Sequence, residues 1–480
     1  MKPLNNTTLN RTPRPITVLQ FGSGNFLRGF ADWMIQQSND AGLTDHGVAI
    51  AYATNRPRRR DPLAEQDGLY HVCLEGVRNG RAVRRLDLVD AVQAVVDPWV
   101  DYQAYRRIAL SADLQLVISN TTEAGIAWVE DDLEQRPAAS FPGQIAQLLH
   151  DRYLTFSGAD SGGLSILCCE LIEANGSTLR EFVVRHAARA GWGADFLAWL
   201  DRANRFYDTL VDRIVSGFPA AEASALQAET GFADAALVKG ELFSLWVLGG
   251  DPRIRDLLPL EDLDLGVTVV PADQVAAFRD KKVRILNGCH TALAMAGLQL
   301  DFATVDRAFD DPDLKSYLHS LLESEVLPTV AGDAGDLRAF ATAILERFAN
   351  PALRHRLADI SLNSVAKWQA RNLPVVLERW QQGAEAPLSM FALALLLVLY
   401  SGHVDGFEPR DEPAVLARLA TPIGPMLHDD VAARLAVLDV DAATRVRLAA
   451  KVAPLVGSLL TVGPREALRS LGRPASPVSG

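Results

Sequence analysis

Cysteine is scarce in this chain. Its four copies, Cys73, Cys168, Cys169 and Cys289, form neither a Cys-x-x-Cys pair nor a zinc-ligand spacing. A disulfide framework and a bound metal are therefore not expected, and a reducing compartment is. Positive charge is also short: 47 Lys and Arg against 59 Asp and Glu leave a net charge of −12. That balance argues against nucleic acid or an anionic membrane as partner. Long apolar runs are missing too. The longest, Met390 to Tyr400, falls short of a bilayer and reads as a buried bundle helix. Met1 to Arg14 is polar, without the apolar core of a secretory leader. The expectation is a soluble cytoplasmic protein.

What remains is a folded chain, 49% hydrophobic and 22% charged, whose 480 residues exceed one ordinary core. Ile16-Thr-Val-Leu-Gln-Phe21 is a β-like apolar run that ends at Gly22-Ser23-Gly24. Beyond it Phe26, Leu27, Phe30, Trp33 and Met34 recur at helical spacing. Strand, glycine turn and helix start form the context in which Gly-x-Gly cradles a dinucleotide's pyrophosphate. The third glycine of that signature is replaced by Leu27. At the end of the next β-like run, Val48 to Thr54, stands Asn55-Arg56-Pro57-Arg58-Arg59-Arg60-Asp61 instead of a ribose-binding acid. An arginine there suits a 2′-phosphate as well as it suits a solvated loop, so NAD and NADP both stay open.

Alternation continues. Helical candidates at Asp101 to Leu110 and Gln144 to Tyr153 separate β-like runs at Leu114 to Ser119 and Leu164 to Leu171. Ser177 is a candidate cap for the next helix, and Leu210 to Val215, Leu242 to Leu248 and Val267 to Val270 add strands. Asn120 to Gly125, polar and turn-prone at a strand's C-terminal end, lies where ligands gather in such sheets. This pattern predicts an α/β fold, a Rossmann-like doubly wound, mostly parallel sheet over residues 1–272. Residues 273–480 predict an all-α helical substrate domain. Its helices are expected at Gln274 to Phe278, Ile285 to Gln299, Pro312 to Val326, Asp336 to Ala349, Pro351 to Gln382 (kinked or split at Pro374) and Pro387 to Tyr400, with several shorter ones after Pro413. Arg473 to Gly480 reads as a tail.

Where strand signals give way to helices the chain reads Lys281-Lys282-Val283-Arg284-Ile285-Leu286-Asn287-Gly288-Cys289-His290. On an α-helix, at about 100° per residue, Asn287 and His290 fall within roughly 60° of each other. Lys282 reaches the same rim from the helix start. A lysine with a lowered pKa can exchange a proton near neutral pH, and an amide with a neutral imidazole can hold a partly charged oxygen. That is equipment for interconverting a secondary alcohol and a ketone without a metal. A surface charge, a cap and a half-buried ring are the ordinary alternative. The segment falls where the two domains are expected to meet, as substrate sites often do.

Several segments together resemble the mannitol 2-dehydrogenase family of polyol-specific long-chain dehydrogenases. They are Phe21 to Arg28, Gln66 to Tyr70, Ser119 to Gly125, Cys169 to Leu171, Leu210 to Ile214, Ile285 to Leu293 and Arg347 to Pro351, with Lys-x-x-x-x-Asn-x-x-His the most specific. The resemblance implies that Lys282 is the general acid and base, and that Asn287 and His290 hold the reacting oxygen. It implies NAD binding by Val18, Leu19, Gln20, Phe21, Gly22, Ser23, Gly24, Asn25, Phe26, Leu27, Arg28 and Gly29, with Thr122 and Glu123. Asp212 matches an acid near the active site, with a salt bridge as the alternative.

Two positions depart from the mannitol enzymes: Leu171 where they carry asparagine, and Asp359 where they carry arginine. Leu171 resembles the uronate-reducing branch, and Asp359 argues against direct recognition of a hexitol. Lys367, helped by Arg371 one turn along, is then expected to pair with a hexuronate carboxylate, with a solvated basic face as the alternative. The implied reaction is reversible reduction of D-tagaturonate to D-altronate. The alternatives are fructuronate or a mannitol-type ketose as substrate, or a dinucleotide-binding regulator without turnover. The oligomeric state is not legible.

Overall fold

The computed structural model describes residues 1–11, 13–56, 60–121 and 124–471. The chain divides into two compact units, residues 1–76 with 83–278, and residues 77–82 with 279–480.

The first unit is built on an eight-stranded sheet. Its order is Val267–Val270, Leu245–Gly249, Arg205–Asp212, Ser165–Cys168, Leu116–Ser119, Ile16–Phe21, Gly47–Ala51 and Val92–Val96. Six strands run parallel, and the pair Leu245–Gly249 and Val267–Val270 runs antiparallel to them. Strand alternation sorts the side chains into two cores. Val18, Val48, Ile50, Leu116 and Ile118 pack with Phe30, Trp33 and Met34 on one face. Leu19, Phe21, Ala49, Val117 and Ile166 pack on the other with Ile145, Leu149, Val183 and Trp199. Apolar residues on both faces of each central strand are what a doubly covered sheet requires.

The structure adds a second, four-stranded sheet that the alternation did not suggest, formed by Val215–Gly217, Val238–Glu241, Tyr70–Arg78 and Arg81–Val89. The last two are joined by Asn79 (φ 52°) and Gly80 (φ 69°), a pair suited to the left-handed turn of a two-residue hairpin. Ser177 does not cap its helix. Asn175–Ala190 starts after Ala174, and the Ser177 hydroxyl instead donates to Asp208 Oδ2 (2.7 Å) within the first turn.

The second unit is helical. The expected helix Pro351 to Gln382 is broken into Leu357–Ile360, Ser364–Arg371 and Leu373–Gln381. Asn363 in a left-handed conformation (φ 53°) starts the second piece, and Pro374 sits in the first turn of the third, where its missing N–H costs nothing. The stretch after Pro413 holds one long element rather than short ones alone. Ala442–Ser470 is long and apolar enough for a membrane span, but it breaks at Gly463 (φ 80°), and Leu448, Val452, Val456 and Leu459 are buried. Pro387–Tyr400 is buried from Ser389 onward. The expected tail lies outside the described residues.

Candidate active site

In the first unit, Ile16–Phe21 runs directly into Gly22, whose φ of 119° only glycine adopts easily. A Cβ there would stand 2.7 Å from the Asn120 carbonyl oxygen. Helical residues follow from Asn25 to Asp40, with Arg28–Asp32 forming a π turn. Gly24 leads into this helix with no side-chain cap, and a Cβ on it would meet nothing within 4 Å. Uncapped N–H groups beside open space suit an anionic pyrophosphate. Val18, Leu19, Gln20 and Phe21 are fully buried, Gly24 and Asn25 are exposed, and Gly22, Ser23, Phe26 and Arg28 are half-buried.

Phe26 stacks on Phe30, and Leu27 is buried where the third glycine would stand. Gly29 takes over that glycine's packing role: a Cβ on it would meet Val215 at 3.0 Å and Val238 at 3.2 Å. Arg28 donates to the Ala236 carbonyl and to Asn25 Oδ1 (both 2.6 Å). Beneath the turn, Gln20 Nε2 donates to the Gly22 carbonyl (3.0 Å) and to Asp32 Oδ2 (3.3 Å), which also accepts from the Tyr70 hydroxyl (3.1 Å).

Complete burial pushes the Asp32 carboxyl up to about 7, although Tyr70, Gln20 and the Arg28 charge pull it down. A carboxyl held protonated in the fold contributes stability at low pH that is lost as pH rises from the ordinary carboxyl value to about 7. The last part of that loss, between pH 6 and pH 8, is about 1.4 kcal/mol. Asp32→Asn is expected to abolish this loss, measured as urea midpoints at the two pH values. Equal sensitivity in both proteins would contradict a buried titrating Asp32.

The Asn120 segment is tied down by Glu170, also buried, whose carboxylate accepts from the Thr121 N–H (2.9 Å), the Thr121 hydroxyl (3.0 Å) and the Ser119 hydroxyl (3.0 Å). Thr122 and Glu123 lie outside the described residues, as do Pro57, Arg58 and Arg59 of the basic loop. Arg60 pairs with Glu65 (2.8 Å), and Arg56 is exposed. Asp212 ends the strand Arg205–Asp212, opposite Leu245.

In the second unit, Lys282 closes the helix Val275–Lys282. The next residues do not form the expected α-helix: Val283–Gly288 is a π turn, and α-helix resumes only at Cys289–Gln299. Such turns carry i→i+5 bonds and recur at functional sites. Both candidate segments of this chain contain one. Arg371 NH1 donates to Thr291 Oγ1 (3.1 Å) and reaches the Asn287 carbonyl (3.5 Å), while Asn372 Nδ2 donates to the Gly288 carbonyl (3.3 Å). Arg371, expected to meet substrate, thus also braces the turn that carries Asn287.

The His290 ring stacks on Phe348 (centroids 4.3 Å apart) and meets His355 edge-on (5.3 Å, 88°). Burial holds His290 well below the usual histidine range, reinforced by Arg347, His355, Arg371 and Lys367. His290 is therefore neutral at pH 7, with one N–H able to hold an oxygen. Lys367, on the helix Ser364–Arg371, donates to the Ile360 carbonyl (2.9 Å), and burial lowers its pKa. Arg347 and His355 stand 57 and 65 positions from His290 in the sequence, a separation that leaves no periodic signal. Asp359 is exposed and stands 3.6 Å from Arg410.

Because the folded chain refuses the proton that unfolded His290 accepts near pH 6.5, stability from the neutral ring is complete above that value and drains as pH falls. His290→Phe is expected to lose part of this acid sensitivity, seen as a smaller fall in Tm from pH 7.5 to pH 5.5. An unchanged fall would contradict it.

A Rossmann-type sheet with a Gly-x-Gly turn, followed by a helical unit, is an architecture of nicotinamide-dinucleotide oxidoreductases. Residues 16–261 match the mannitol dehydrogenase Rossmann domain and residues 274–421 the mannitol dehydrogenase C-terminal domain. The chain belongs to the mannitol dehydrogenase family. It is 37% identical over 439 residues to the altronate oxidoreductase of Yersinia enterocolitica, covering 90% of each chain. It is 38% identical over 420 residues to that of Bacillus subtilis, covering 87% of this chain and 86% of that one. Two solved structures share the fold. A D-sorbitol dehydrogenase has a TM-score of 0.78 at 22% identity over 95% of each chain. The mannitol 2-dehydrogenase of Pseudomonas fluorescens, solved with NAD and D-mannitol, has a TM-score of 0.69 at 21% identity over 98% of this chain and 99% of that one.

Proposed function

We propose that this chain reduces D-tagaturonate to D-altronate reversibly, with NAD(H) as cofactor, in the cytoplasm. The observation that carries the reading is a pair of cations on one helix beside the His290 segment: Lys367 and Arg371 stand on Ser364–Arg371, and Arg371 NH1 donates to Thr291 Oγ1 (3.1 Å) on the helix that carries His290. A sugar acid needs such charge and a neutral polyol does not. The altronate oxidoreductase relatives support the same substrate. Four unpaired, buried cysteines are in keeping with a reducing compartment.

The nicotinamide supplies or accepts the hydride. Asn287 and neutral His290 hold the ketone oxygen as negative charge develops there, and Lys282 delivers the proton to that oxygen. In the reverse direction Lys282 takes the hydroxyl proton. Lys367 and Arg371 fix the carboxylate, which orients the ketone.

The test follows NADH and NADPH absorbance separately with tagaturonate present and identifies the product. Consumption of NADH with formation of altronate is expected. Oxidation of NADPH alone would overturn the cofactor assignment, and consumption of neither would overturn the activity.

A further inference from the structure

Near the Lys367 ammonium and the His290 ring stands a side chain to which no role has been given. His355 lies between the helices Ala334–Phe348 and Leu357–Ile360 on a backbone pinned at several points. The Val305 N–H donates to its carbonyl (2.9 Å), the Leu357 N–H donates to the Ala303 carbonyl (3.0 Å), and Arg356 bridges Thr304. The ring is half-buried, edge-on to His290, and within the electrostatic reach of Arg347 and Lys367.

The acids nearby already have partners. Asp359 faces Arg410, while Asp411 accepts from the Tyr400 hydroxyl (3.0 Å) and from the Val365 N–H (3.3 Å). Arg347 and Lys367 both lower the pKa of His290 and of His355. Burial, Arg347 and Lys367 outweigh Asp359 and keep His355 below the usual histidine range, hence uncharged at neutral pH. A neutral ring offers a hydrogen-bond donor beside these cations without adding a further repelling charge.

We infer that His355 hydrogen-bonds the substrate's carboxylate alongside Lys367 and thereby selects sugar acids over neutral ketoses. The inference rests on the proposed uronate substrate. A six-carbon acid with its ketone oxygen on His290 carries its carboxylate several ångströms along the chain, the scale of the separation between the two rings. The specificity of the site is then set by a residue far in sequence from the Lys282 to His290 segment.

The experiment compares wild type, His355→Ala and His355→Gln with tagaturonate and with fructose, using NADH affinity as the control for folding. His355→Ala is expected to raise KM for tagaturonate about tenfold while kcat stays within about twofold. Turnover of fructose is expected to stay within about twofold, and His355→Gln, which keeps a donor, to recover most of the loss. An unchanged KM for tagaturonate, or equal losses on both substrates, would overturn the role of His355 and leave the uronate reading standing. A wild-type preference for fructose would instead overturn the uronate reading itself.

Discussion

Lys282→Ala lowers the rate of ketone reduction by about 10³-fold and leaves NADH affinity nearly unchanged. The size follows from removing a positioned general acid, which contributes 10²- to 10⁴-fold in comparable chemistry. The selectivity follows from the division of labour. The glycine turn at Gly22 to Asn25 presents the uncapped N–H groups suited to a dinucleotide, whereas Lys282 belongs to the helix Val275–Lys282. A small amine such as methylammonium is expected to restore part of the lost rate, because the missing group is a proton donor and not a strut. The check is stopped-flow NADH oxidation with a fluorescence titration of cofactor. An unaltered rate would remove Lys282 from the mechanism, and a large loss of NADH affinity would make its role one of cofactor binding.

Lys367→Met acts differently. Methionine keeps much of the aliphatic stem and removes the ammonium that donates to the Ile360 carbonyl. A charged hydrogen bond to carboxylate contributes about 1.5–3 kcal/mol, so KM for tagaturonate is expected to rise about 10- to 100-fold. The carboxylate stays charged from ketone to alcohol, so the contact stabilises ground state and transition state alike and kcat should change little. Steady-state kinetics at saturating NADH read both constants. A fall in kcat at constant KM would place Lys367 in the chemical step instead.

The sequence revealed some parts of this site and concealed others for physical reasons. The strand Ile16–Phe21 and its glycine turn were legible because apolar residues on both faces, followed by Gly-x-Gly and a helical period, admit few other readings. Lys282, Asn287 and His290 were legible only as candidates by their spacing, and the π turn between them was not legible. Apolar residues at Ile285 and Leu286 fit either helical period over so short a stretch. The hairpin at Asn79-Gly80 carries a local turn signal, but the stronger βα alternation around it masks the strands it joins. Gly29 was legible only as part of a motif, although its need arises from Val215 and Val238, far along the chain. Asp32 gave no sign of its burial, since an acid in an amphipathic helix ordinarily faces water. The break at Asn363 was hidden because the flanking residues suit a helix. Arg347 and His355 meet His290 only through tertiary packing, and no local pattern encodes that.

The proposed reaction requires a carboxylate-bearing ketone held beside Asn287, His290 and Lys282. Side-by-side measurement of kcat/KM for tagaturonate, fructuronate and fructose with NADH tests it most directly. Tagaturonate is expected to lead, with fructose far behind because it gives Lys367 and Arg371 no charge to pair with. A clear preference for fructose would contradict the account.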